Sequence, residues 1–215
     1  MNQKLNIAIS SYRSAPFGGG QGIFVYELSK ALQALGHKVD IISGPPYPSL
    51  EPKISLIKSP GLDLFSTFVF QDRLKIFLNK KNKSLDDWYE FLSALFGGFP
   101  EIKTFGNRVK KLLQQSSYDV VIDNQSISYG MLEVQKNIPF IEIIHHPITK
   151  DYQYDIQFSR GMIQKLSKWR WFSFLKMQKK VAPKIKVICT PSHNSKQDIE
   201  KDFKVSSSNI SVIPN

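Results

Sequence analysis

Cysteine is almost absent: Cys189 is the only one in 215 residues, so no internal disulfide can form, and the thiol, set in an apolar run, reads as a small core residue. A reducing compartment, the cytoplasm, is the expected setting. Long apolar runs are missing too. None approaches the roughly 18 residues that cross a bilayer, and residues 1–4 lead into a strand pattern rather than a signal peptide. Any membrane contact is therefore expected at the surface only, on the inner face. Acidic residues are scarce: 18 Asp and Glu against 29 Lys and Arg leave a formal charge of +11. Such a balance draws phosphate groups in general, whether of nucleic acid, anionic lipid or nucleotide, and does not choose among them.

Familiar chemical motifs are lacking as well. G-x-x-x-x-G-K-[ST] does not occur, which leaves a P-loop NTPase unsupported. A G-x-G-x-x-G reading started at Gly18 meets Ile23 in its third glycine position, and one started at Gly20 meets Val25. The second strand closes on Ser43 and Gly44 rather than on an acid, so a dinucleotide site is not expected. No serine lies in G-x-S-x-G. His145 and His146 form the sole histidine pair. Neighbours on a strand point to opposite faces, and no cysteine cluster or third ligand lies nearby, so no metal is expected. No nucleic-acid module is recognisable, and nucleic acid is not an expected partner.

What is present is an alternation of short apolar runs and helical patterns. An apolar run at 5–9 precedes the glycine cluster, after which Ile23, Phe24, Leu28, Ala31, Leu32 and Leu35 recur at helical spacing and stop at Gly36. Further strands are expected at 39–42, 54–57, 118–123, 139–144, 186–190 and 210–213, with two or three helices across 62–115, one at 129–136 and a short one capped by Asn194. Residues 149–158 read as a loop. The fold class is α/β: a Rossmann-like open, mostly parallel β-sheet with helices on both faces, in one domain over 1–215.

Candidate binding groups follow from that layout. Gly18, Gly19, Gly20, Gln21 and Gly22 lead straight into a helix, whose unpaired N–H groups and dipole favour a phosphate where no Cβ blocks the approach. The same glycines also suit a tight turn. Three strands end in polar side chains: Asp123, Asn124 and Gln125; His145 and His146; Thr190, Ser192 and Asn194. A polar edge beside a phosphate loop suits a hydroxyl-rich ligand such as a sugar, although Asn124, Ser192 and Asn194 equally suit turns and caps. The loop with Asp151, Tyr152, Tyr154 and Asp155 follows the histidine strand and suits contact with the same ligand, although a mobile surface loop would read the same way. Which of His145 and His146 faces the cleft depends on register.

No acid occurs between Asp155 and Asp198, whereas Lys and Arg recur throughout. Wheeling 163–181 at about 100° per residue places Ile163, Leu166, Phe174, Met177 and Val181 on one stripe. Lys165, Lys168, Lys176, Lys179 and Lys180 gather opposite, together with Trp169 and Phe172. That composition suits an anionic membrane surface as well as a plain solvated face. Arg73, Lys75, Lys80, Lys81 and Lys83, mixed with Ile76, Phe77 and Leu78, form a second such patch.

With those residues in hand, the whole chain resembles the N-terminal domain of GT-B glycosyltransferases of the retaining group one, or family four, class. Gly19, Gly20, Gln21 and Gly22, the helix from Glu27 to Leu32 and then Gly36, His37, Lys38 and Val39 are similar to that family's glycine pair, helix and strand entry. Pro139 with His145, the run from Val187 to Ser192, and Val212, Ile213, Pro214 and Asn215 match its later strands in order. The resemblance implies a transferase that moves a sugar from a nucleotide-sugar donor to a glycan or lipid-linked acceptor, without metal and with retention of anomeric configuration. It implies that Gly19 and Gly20 meet the donor diphosphate and that His145 reaches the transferred sugar. The donor would be held mainly by a C-terminal domain that carries basic residues and paired glutamates. That domain is absent here, so the chain alone is expected to be inactive. A non-catalytic carbohydrate- or membrane-binding module on the same fold is the alternative.

Overall fold

The computed structural model describes residues 3–16 and 20–214. Seven strands form one parallel sheet in the order β3-β2-β1-β4-β5-β6-β7. They are β1 (Asn6–Ser11), β2 (Lys38–Ser43), β3 (Ser55–Lys58), β4 (Val120–Asn124), β5 (Phe140–Ile143), β6 (Ile188–Thr190) and β7 (Ile210–Val212). The central strands are buried on both faces, which is why they read as unbroken apolar runs rather than as alternation.

The order turns at β1 and β4. From β1 the chain adds strands outward through β2 to β3, then returns beside β1 with β4 and adds strands the other way. Loops at the carboxyl ends of β1 and β4 therefore diverge and leave a crevice, where open α/β sheets bind ligands.

One face is covered by α1 (Gly20–Ala34), whose Phe24, Val25, Leu28 and Leu32 pack on Ile7, Ile9, Ile41, Ile122 and Ile143. Gly36 ends the helical run with φ of 90°, as its position suggests. The opposite face carries α4 (Glu101–Leu113), α5 (Tyr129–Asn137), α8 (Leu175–Val181) and α9 (His193–Phe203), around Phe105, Met131, Val181 and Phe203. A third cluster, Leu64, Phe77, Phe91 and Ala94, joins α2 (Phe70–Asn79) to α3 (Leu85–Leu95). So 62–115 holds three helices.

Four expectations are corrected. Residues 149–158 are not a loop: α6 (Thr149–Gln157) occupies them. The basic stretch is not one helix, for α7 (Gly161–Trp171) gives way to a 3₁₀ turn at Phe172–Phe174 before α8. That break rotates the two halves relative to the wheel, so Phe172, expected at a membrane, is buried in the core, while Ile163 and Leu166 are exposed. Phe77 likewise leaves the second patch to stack on Phe91 at 4.2 Å. Finally, α9 is capped by Ser192, whose Oγ accepts from Ser195 N at 3.1 Å, and not by Asn194.

Candidate functional site

The crevice is built from the end of β4. Asp123 is fully buried, and its carboxylate accepts from Ser10 Oγ and from Ser126 N and Oγ. That anchors a turn in which two non-glycine residues adopt left-handed backbone, Gln125 at φ 63° and Ile127 at φ 46°. A β-branched residue there is strained, and such strain persists only where neighbours over-determine it. Glu142, the partner of Asp123 across the ladder, is also buried; burial first, and the Asp123 charge second, push its carboxyl well above the usual range.

The turn also holds a histidine in place. Gln125 clamps the chain beyond β5, its Oε1 accepting from His145 N at 3.1 Å and its Nε2 donating to the His146 carbonyl at 3.0 Å. Asn124 Oδ1 lies 2.8 Å from His145 Nε2. From α9, Ser195 Oγ donates to the His145 carbonyl at 2.8 Å, and from α1 the Phe24 ring meets the imidazole edge-on at 4.6 Å. Half-burial lowers the pKa of His145, with the neighbouring His146 acting in the same direction, so the ring is neutral at pH 7. His146 is exposed, its Nε2 3.3 Å from Asp151 Oδ2 on α6.

Of the glycine cluster, Gly18 and Gly19 lie outside the described residues. Gly20 starts α1 and Gly22 is in its first turn. A Cβ on Gly22 would stand 2.1 Å from the Ala15 carbonyl oxygen, so only glycine lets the helix start this close to the loop after β1. Gly20 borders two cavities: an apolar one of about 710 Å³ that also takes in Phe24, Thr190 and Pro191, and one of about 440 Å³ lined by Tyr12, Arg13, Gln21 and Pro46. The glycine helix start and the histidine strand thus reach one edge, joined through Phe24.

Other expected contacts sort differently. Asn124 and Gln125 are buried and spend their polar groups on Ser11, His145 and His146 rather than on the open edge. Ser192 is committed to its cap. Arg13 escaped the sequence reading: its Nε lies 3.6 Å from Glu101 Oε2 beside the crevice. Burial pushes Glu101 up to about 7, against the pull of Arg13. An arginine two residues after a strand is an ordinary surface feature in sequence, and only the position of α4 gives it a carboxylate.

The profile of Glycosyltransferase Family 4 matches residues 18–215. The chain is 39% identical over 214 residues to a protein of Mycolicibacterium hassiacum named MMP alpha-(1->4)-mannosyltransferase, covering 98% of this chain and 51% of that one. It therefore spans about half the length of the curated relative it matches. Among solved structures, WaaG, a glycosyltransferase involved in lipopolysaccharide biosynthesis, aligns with a TM-score of 0.54 at 12% identity over 97% of this chain and 44% of its own. The catalytic domain of starch synthase IV from Arabidopsis thaliana, bound to ADP and acarbose, gives 0.51 at 13% identity over 99% and 52%. At those identities the likeness concerns the fold, which is that of the GT-B N-terminal half. The matched profile covers nearly the whole sequence, and on that ground the chain belongs to glycosyltransferase family 4.

Proposed function

We propose that this chain is the acceptor-side domain of a retaining glycosyltransferase, which moves a sugar from a nucleotide-sugar donor to a glycan or lipid-linked acceptor and is inactive without a donor-binding second domain. The observation that carries the reading is the contact between Phe24, near the start of the glycine-led helix, and the clamped His145, which follows the strand beside the point where the order turns. A phosphate fits the helix start, a sugar hydroxyl the histidine. Nothing in the reading calls for a metal. The test is sugar transfer by the complete gene product, with nucleotide-activated mannose first because the 39%-identical relative is named a mannosyltransferase. Turnover by the complete protein and none by residues 1–215 is expected. Transfer by this chain alone, or no turnover of any nucleotide sugar by the complete protein, overturns it.

The lipid-linked form of the acceptor gains support from the surface of α7. No residue of that helix is buried, and Met162 and Ile163 are 83% and 86% exposed, with Leu166 and Trp169 beside them. Arg160, Lys165 and Lys176 surround this apolar set, Lys176 lying 4.6 Å over the Trp169 ring. Lys168 is engaged with Asp155 at 2.7 Å, and Lys179 sits on the exposed side of α8. Apolar side chains ringed by cations match an anionic bilayer surface. Vesicles rich in phosphatidylglycerol should bind the domain in a salt-sensitive way, and Ile163→Ser should weaken that binding about tenfold, the equivalent of one apolar side chain withdrawn. Equal binding to neutral vesicles, or none to either, removes the membrane from the reading.

A further inference from the structure

The hydrogen bonds around His145 bear on which of its ring nitrogens carries the proton. Ser11 and Ser14 are fully buried at the end of β1 and the loop after it. Ser14 Oγ donates to Ser11 Oγ at 2.7 Å, and Ser11 Oγ donates its own proton to the Arg13 carbonyl at 3.2 Å. With its proton committed, Ser11 Oγ can only accept from Asn124, whose Nδ2 lies 3.2 Å away. The Asn124 amide is thereby oriented with Oδ1 toward His145 Nε2 at 2.8 Å. An amide oxygen only accepts, so Nε2 must donate. Turning the amide over would need Ser11 to abandon the Arg13 carbonyl and would leave one hydrogen bond fewer.

From this geometry we infer that Asn124, oriented by Ser11, is a positioning residue that locks His145 as the Nε2–H tautomer, so that Nδ1 offers a lone pair to a hydroxyl of the bound sugar. No described residue bonds Nδ1. The inference about the sugar rests on the transferase reading; the tautomer itself does not. A neutral imidazole offering only a lone pair takes an O–H donor and has nothing for a carboxylate. The site therefore selects a neutral sugar with a free hydroxyl at that place, over the corresponding uronic acid or deoxy sugar. The depressed pKa of His145 keeps this acceptor available at neutral pH.

Long-range ¹H–¹⁵N spectra of the histidine side chains in this 215-residue chain test the lock, with His145 assigned by its loss in His145→Gln. At neutral pH the wild type should show a protonated Nε2 and a bare Nδ1. Asn124→Asp should keep that tautomer and raise the His145 pKa, because a carboxylate now faces Nε2–H. Ser11→Ala, which frees the Asn124 amide to turn, should give averaged ring nitrogens, as should Asn124→Leu where it folds. A protonated Nδ1 in the wild type, or an unchanged tautomer in Ser11→Ala together with an unraised His145 pKa in Asn124→Asp, overturns the lock. In the complete protein, equal kcat/KM for the hydroxylated donor and its deoxy analogues would remove the sugar contact and leave the tautomer standing.

Discussion

Replacing Arg108 with methionine lowers the stability of the domain by about 3–5 kcal/mol, the cost of stranding a buried charge. Glu90 lies on α3 with its side chain 2% exposed, and it accepts from Arg108 Nη1 at 2.7 Å, from Thr104 Oγ1 and from Leu62 N at 2.7 Å. The pair is mutual, since Arg108 on α4 is 19% exposed and has Glu90 as its ion partner among the described residues. Methionine fills the aliphatic volume but leaves the buried carboxylate with two neutral donors and with Glu101 and Asp63 as like-charged neighbours. Glu90→Gln should cost less, because an amide oxygen in the place of Oε1 still accepts from Thr104 and Arg108, and only the bond from Leu62 N is lost. The double variant should recover most of the loss, as neutral replacements of buried pairs commonly do. Denaturant midpoints at neutral pH measure all three. An Arg108→Met domain within about 1 kcal/mol of wild type would show that water reaches Glu90 and that the pair is only decorative.

That ion pair also joins the segment after β3 and the α2–α3 layer to the sheet, and its invisibility in sequence is instructive. The seven strands and α1 were legible because each buried strand is a short apolar run and α1 has a clean 3.6-residue stripe ending at a glycine, whereas α6 and the break between α7 and α8 were not. The family was legible for a similar reason: its landmarks are local strings such as Gly19 to Gly22 and Gly36 to Val39. Long-range pairs have no such local trace. Glu90 and Arg108, Arg13 and Glu101, and Ser195 with the His145 carbonyl are brought together only by helix placement. Periodicity failed in a definite way at 163–181, where a wheel drawn through a 3₁₀ turn exchanged the fates of Phe172 and Ile163. At the site, the resemblance singled out His145, but which of His145 and His146 faces the cleft was not legible, because that depends on the Gln125 clamp. Nor do the letters Asn124 and Gln125 distinguish a group that touches ligand from one that supports it.

The ranking of the two histidines leads to the second large effect. In the complete transferase, His145→Ala should lower kcat/KM by about 10²–10³, comparable to removing one well-placed polar group from a developing charge, while His146→Ala should leave it within about threefold of wild type, a change of under 1 kcal/mol. The difference follows from how the residues are held. His145 has its backbone N and carbonyl bonded to Gln125 and Ser195 and its ring between Asn124 and Phe24, so its geometry is paid for before substrate arrives. His146 is exposed, and its one side-chain partner is the equally exposed Asp151 at 3.3 Å, a pair of small energetic weight. Because the contacts that fix the position-145 backbone come from Gln125 and Ser195, truncating the imidazole removes the ring without releasing the turn. The denaturation midpoint of His145→Ala should consequently move little compared with that of Arg108→Met, which separates a lost contact from a lost fold. A fall in kcat with KM unchanged would place the imidazole's contribution in the transition state, and a rise in KM alone would place it in ground-state binding. The reverse ranking, with His146→Ala the damaged enzyme, would move the sugar to the α6 side of the strand end and take His145 out of the site.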